Sequence, residues 1–207
     1  DDVKVHKVPS PYQLFSRKLA EAISARNADQ AMEAADWALN KGLLHGFHKA
    51  VEKALEYDPQ HPRACSVVEL MEQLEKPLPE DQQAEDALRL LVQKSDMKVR
   101  RSAHFLLLYD TPDKVPEGRK ASRADERLEL LERVYESFLL KFYSRGVALE
   151  IPSERLRVVL FNDHRDYLNF ATQLDPGLQS AAGFWDSRKN VSVFYDQSSD
   201  AAFQSLQ

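Results

Sequence analysis

Cysteine is almost missing from this chain: Cys65 is the only one among 207 residues. A single thiol makes neither an internal disulfide nor a cysteine-rich zinc site. It lies in Ala64-Cys65-Ser66-Val67-Val68, within a helical pattern, and reads as a small apolar side chain with no base at hand. Glycine is scarce too. Six glycines in all leave little material for a Gly-rich phosphate loop, and none occurs. Long apolar runs are absent: Phe105–Leu108 falls far short of the ~20 residues that span a bilayer. The net charge of −5 lacks the basic excess of a phosphate-tracking surface, so nucleic acid is not an expected partner. Two basic clusters, Lys98/Arg100/Arg101 and Arg119/Lys120/Arg123, read as solvated faces or loop edges.

What is present falls into two regions, with an expected boundary between residues 94 and 95. The first carries helical period almost throughout. Leu14, Leu19, Ala22 and Ile23 recur at helical steps, as do Ala31, Ala34, Ala35, Ala38 and Leu39, then Val51, Ala54 and Leu55, then Val67, Val68, Leu70, Met71 and Leu74. Gly42 suits a left-handed helix end. Pro59 stops a helix, because proline disfavours helical geometry in the residue before it. Pro62 suits a first turn, where its missing N–H costs little. The stretch from Ala31 to Pro59, two helices around Gly42-Leu43, resembles one tetratricopeptide-type repeat, although Trp37 is out of place and no second copy follows. That resemblance implies a helical-hairpin module, either a spacer or a peptide-binding groove.

The second region alternates strand and helix. Phe105–Tyr109 is short and apolar, and reads as a buried strand. Ser122-Arg123-Ala124-Asp125 looks like a capping box. The helix that follows places Leu128, Leu131, Tyr135, Phe138 and Phe142 on one stripe, widened by Val134, which is expected to cover a sheet. Leu156–Phe161 is the next strand. Asn162-Asp163 opens another amphipathic helix. Gly183–Asp186 and Val191–Tyr195 read as a hairpin, with Val191, Val193 and Tyr195 facing one way. The expected fold class is α+β: an N-terminal helical region, then a small mixed sheet with covering helices. The polar stretch Asp196–Asp200 is expected to open one more helix.

This succession, and the phrase Gly183-Phe184-Trp185-Asp186 with Asn190–Tyr195, resembles the opening half of a peptidase-MA-like, gluzincin-type domain. More narrowly it is similar to a bacterial family of unknown function in that group. The resemblance spans about Ser102 to Gln207. It implies a following helix with HExxH, whose two histidines bind zinc while the glutamate activates water. The sequence contains no HExxH, so no ligand is carried over, no cofactor is expected in this chain, and zinc belongs only to an intact protein. The expectation is a non-catalytic portion cut off before the zinc helix, inert as it stands. The resemblance further implies a role for the strand Val191–Tyr195, as the edge strand that pairs with an extended polypeptide. Gly183, Phe184, Trp185, Val191, Val193 and Tyr195 are the expected cleft residues. The alternative is a protein-interaction scaffold that uses its helices or sheet edge. Together with a first residue, Asp1, that is not methionine, the resemblance favours an exported or periplasmic protein, with the cytoplasm as the alternative.

Other chemistry finds thinner material. His45 and His48 share a helix face with Glu52 but need further ligands for a metal. His104 and His164 stand at strand ends without a nucleophile, and Asp163 and Asp166 suit a helix N-terminus. Asp186, Asp196 and Asp200 supply carboxylates near Trp185 and Tyr195 without a readable separation. Phe184, Trp185 and Tyr195 read as hairpin packing or as a stacking platform. His6 and His61 carry no argument.

Overall fold

The computed structural model describes residues 8–199. Asp200 and His6 lie outside them, as does any helix continuing beyond Ser199. The chain is mixed α+β, with seven α-helices and a five-stranded sheet among the described residues. It divides into two compact units. One comprises residues 1–75 and 135–150, the other 76–134 and 151–207. The divide therefore falls earlier than the change of periodicity near residue 94. The segment from 76 onward belongs with the sheet because Ala84 and Leu88 pack into the sheet's core.

The helical unit is built from α1 (Pro11–Ala25), α2 (Ala28–Asn40), α3 (Leu44–Tyr57) and α4 (Pro62–Leu74). Ser10 and Gln13 form a reciprocal capping box at the start of α1. Alanines make the α2–α3 contact possible: Ala31, Ala34, Ala35 and Ala38 are buried on one helix, Ala50 and Ala54 on the other. Gly42, with φ of +71°, takes the left-handed turn between them that a side chain would oppose. Leu14 and Ile23, expected on the buried stripe of α1, are exposed, and Phe15 is buried instead.

The sheet unit begins with α5 (Gln82–Val92), then β1 (Lys98–Arg101), β2 (Phe105–Tyr109), α6 (Arg123–Tyr143), β3 (Leu156–Phe161), α7 (His164–Leu174), β4 (Gly183–Asp186) and β5 (Val191–Tyr195). Helix α6 is continuous, but its residues from Tyr135 onward belong to the helical unit. Strand order is β1-β2-β3-β5-β4. The central three run parallel, and each edge strand is antiparallel to its neighbour. Parallel strands must be covered on both faces, which explains why β2 is buried at all five positions. One face carries Leu106, Leu108, Val159, Phe161, Val191, Val193 and Tyr195, packed with Leu88 of α5 and Tyr167, Phe170 and Ala171 of α7. Arg127, early in α6, lies over the Phe194 ring of the opposite face at 5.6 Å.

Two expectations need correction here. The first basic cluster is strand β1, an edge strand rather than a solvated face, and its cations are paired. Lys98 bonds Asp113, Arg100 reaches Asp113 and Asp125, and Arg101 reaches Glu85. Charge on an edge strand blocks further pairing. In α6, Val134 and Phe138 are exposed, whereas Ala124, Leu128, Leu139, Leu140 and Tyr143 are buried, so the buried face is rotated from the expected stripe.

Candidate functional site

Strand β4 ends the sheet. It pairs with β5 on one side, through Gly183↔Phe194, Phe184↔Val193, Trp185↔Ser192 and Asp186↔Val191. Among the described residues nothing pairs with its other side. Such an edge presents unpaired N–H and C=O groups, a template for another extended chain.

The turn that carries β4 into β5 is fixed locally. The Asp186 carboxylate accepts from the backbone N–H of Arg188 at 2.9 Å and of Lys189 at 3.2 Å. Its slight burial would raise its pKa, but these donors and the Lys189 ammonium outweigh that and hold it below the ordinary carboxylate range. Asn190 takes the positive φ of +48° that this turn needs, a conformation asparagine tolerates. Its side-chain oxygen accepts from Trp185 Nε1 at 3.3 Å.

The expected cleft residues separate. Val191, Val193 and Tyr195 lie on β5, an interior strand, and are buried. Tyr195 stacks on the His164 ring at 4.4 Å and lies 5.0 Å from Tyr167. The residues available to an incoming chain are those of β4. Phe184 turns toward the core near Tyr167. Trp185 points the other way and is 63 % exposed. Beside the strand opens a pocket of about 280 Å³, lined by Leu174, Asp175, Leu178, Phe184, Trp185 and the turn residues 186–189.

The remaining candidates have other partners. His48 bonds Glu136 at 2.8 Å, and His45 is exposed. Among the described residues no group of three or more His, Cys, Asp or Glu side chains is placed to hold a metal. Cys65 directs its thiol toward the Pro59 carbonyl at 3.5 Å. Asp196 pairs with Arg123 at 3.2 Å and accepts from the Ser198 hydroxyl. Asp163 caps α7. His61, in contrast, caps α4 through Nδ1 and reaches Asp29 through Nε2 at 3.0 Å.

Two charged ties escaped the sequence. Lys94 bonds both Asp110, at the end of β2, and Asp166, in the first turn of α7. Burial would lower the Lys94 pKa, but the two carboxylates outweigh it and raise it well above its ordinary value. Glu132 clamps His104, accepting the backbone N–H at 2.9 Å and meeting Nδ1 at 2.6 Å. Both ties join residues distant in sequence, and only the loose clustering of charge near strand ends hinted at them.

Comparison of this chain with protein-family models, with curated proteins and with solved structures finds no match.

Proposed function

We propose that this chain is a polypeptide-binding scaffold, the non-catalytic opening portion of a gluzincin-like peptidase domain. An extended segment of another protein lies along the outer side of β4. Main-chain hydrogen bonds supply the affinity, and alternate side chains enter the pocket beside Phe184 and Leu178. The observation that carries this reading is the outer edge of β4, unpaired among the described residues and antiparallel on an otherwise parallel β2-β3-β5 core, with exposed Trp185 and a lateral pocket beside it. Gluzincin-type hydrolysis would need an HExxH helix, which this sequence does not contain.

The test uses Trp185 as reporter. The chain has two tryptophans, so Trp37→Phe leaves Trp185 alone. Titration with a carboxymethylated, permanently unfolded polypeptide is expected to shift its emission saturably. The same polypeptide is expected to remain uncut, with or without added zinc. Absence of binding overturns the scaffold, and cleavage by this chain overturns the non-catalytic role.

A further inference from the structure

Strand β3 breaks its own pattern at one position. On the face it shares with Leu106, Val159, Phe161 and Val191, alternation calls for an apolar residue, and the chain supplies Arg157. Arg157 stands level with Leu106 on one neighbouring strand and with Val191 on the other. Its side chain is 25 % exposed, and its ion pair to Glu154 is a loose 3.5 Å contact with a largely exposed carboxylate. A cation placed on a core face breaks a local rule, and such breaks concentrate at functional sites.

A cavity of about 430 Å³ opens beside it. This falls within the usual range for small-molecule sites, roughly 300–1,000 Å³. Its apolar wall is formed by Ala87, Leu88, Leu90 and Leu91 of α5, together with Val191 of β5. Its polar rim is Arg157, Arg188, Lys189 and Asn190, and among the described residues no carboxylate lines it. Leu90 is 72 % exposed, an apolar side chain left uncovered at the cavity wall. Lys189 shares Asp186 in the turn, while Arg188 has no acidic partner among the described ion pairs. The site therefore combines an aliphatic surface with a surplus of positive charge.

We infer that this cavity binds a carboxylate carried on an aliphatic tail, as in a free medium-chain fatty acid. The tail lies against Leu88, Leu91 and Val191, and the carboxylate meets the guanidinium groups of Arg157 and Arg188. Planar guanidinium donors suit a carboxylate, which accepts two parallel N–H bonds. Neither an uncharged nor a cationic tail satisfies the rim. Arg188 and Lys189 line both this cavity and the pocket beside β4, whereas Arg157 lines this cavity and not that pocket, so Arg157 is the position that separates carboxylate binding from polypeptide binding.

The experiment is calorimetric titration of the 207-residue chain with octanoate, octanol and octylamine. Saturable binding of one octanoate below ~1 mM is expected, with octanol and octylamine at least about tenfold weaker. Arg157→Leu restores the apolar strand pattern, so it is expected to melt no lower than the parent while losing octanoate affinity at least about tenfold. Arg188→Gln, at an exposed turn, tests the rim without touching the core. Failure of octanoate to bind overturns the inference. So does binding unchanged by both substitutions, or octylamine binding as tightly as octanoate.

Discussion

Gly183 sits directly opposite Phe194, so close that a β-carbon on Gly183 would lie 2.6 Å from Phe194 Cδ1 and 3.1 Å from the Val193 carbonyl oxygen. The edge strand can approach β5 there only because that position has no side chain. Gly183→Ala is expected to destabilise the chain by ~1–3 kcal/mol through overpacking. The cost should shrink when Phe194→Ala is already present, since the ring is the closest obstacle. Denaturant midpoints of the four members of the cycle check this, and simple additivity would contradict it.

Lys94 holds together the ends of two elements. Asp110 has a side chain only 5 % exposed, and it also accepts the backbone N–H of Asn162 at 2.5 Å. Lys94→Met leaves that carboxylate without its cation. Between the values for exposed and buried pairs, a loss of ~1–3 kcal/mol is expected. Lys94→Met with Asp110→Asn should recover part of it. Chemical denaturation of the single and double variants is the check.

Glu132 gives acid sensitivity with a known sign. Burial would raise its pKa, but the Ser102 side chain, then the His104 ring and backbone, outweigh burial and hold the folded-state value below the ordinary 4.5. A depressed carboxylate stabilises the fold fully above its unfolded value, and that stabilisation is lost as pH falls through the folded value. The chain should therefore lose stability below about pH 4.5, and Glu132→Gln should lose less over the same interval. Urea midpoints taken from neutral to acid pH measure both. A steeper acid loss in Glu132→Gln would reverse the argument.

Trp185 separates binding from folding. It is exposed and makes one side-chain hydrogen bond, to Asn190. Trp185→Ala is expected to change stability by no more than ~0.5 kcal/mol while weakening polypeptide binding at least about tenfold, as loss of an aromatic anchor does. A melting curve beside a binding isotherm reads the two effects separately.

Much of this architecture was legible from local chemistry. The period-2 alternation of Val191, Val193 and Tyr195 appears as the buried, half-buried, buried pattern of β5. Pro62 occupies the first turn of α4, Gly42 takes a positive φ, and Ser122 accepts from the Asp125 N–H at the start of α6. Strand β1 was hidden because Lys98, Arg100 and Arg101 place cations where a strand signal needs apolar residues, and their partners lie up to 25 residues away. The site was half legible. The hairpin could be read, but which of its strands is the edge depends on parallel pairing of β5 with β3, a contact no local pattern announces. That pairing buries Val191, Val193 and Tyr195 and leaves β4 outermost. The rotated face of α6 has a similar origin: a long helix with apolar residues on more than one side does not declare which side its neighbours cover.

The most direct measurement is amide hydrogen exchange of the whole chain with and without the carboxymethylated polypeptide. A chain added to the sheet would protect outward-facing amides of residues 183–186, while those of β5, already paired on both sides, would change little. Protection gained at β4 is the predicted result. Unchanged exchange at β4 with protection appearing on α1–α4 would contradict it and move the binding surface to the helical unit.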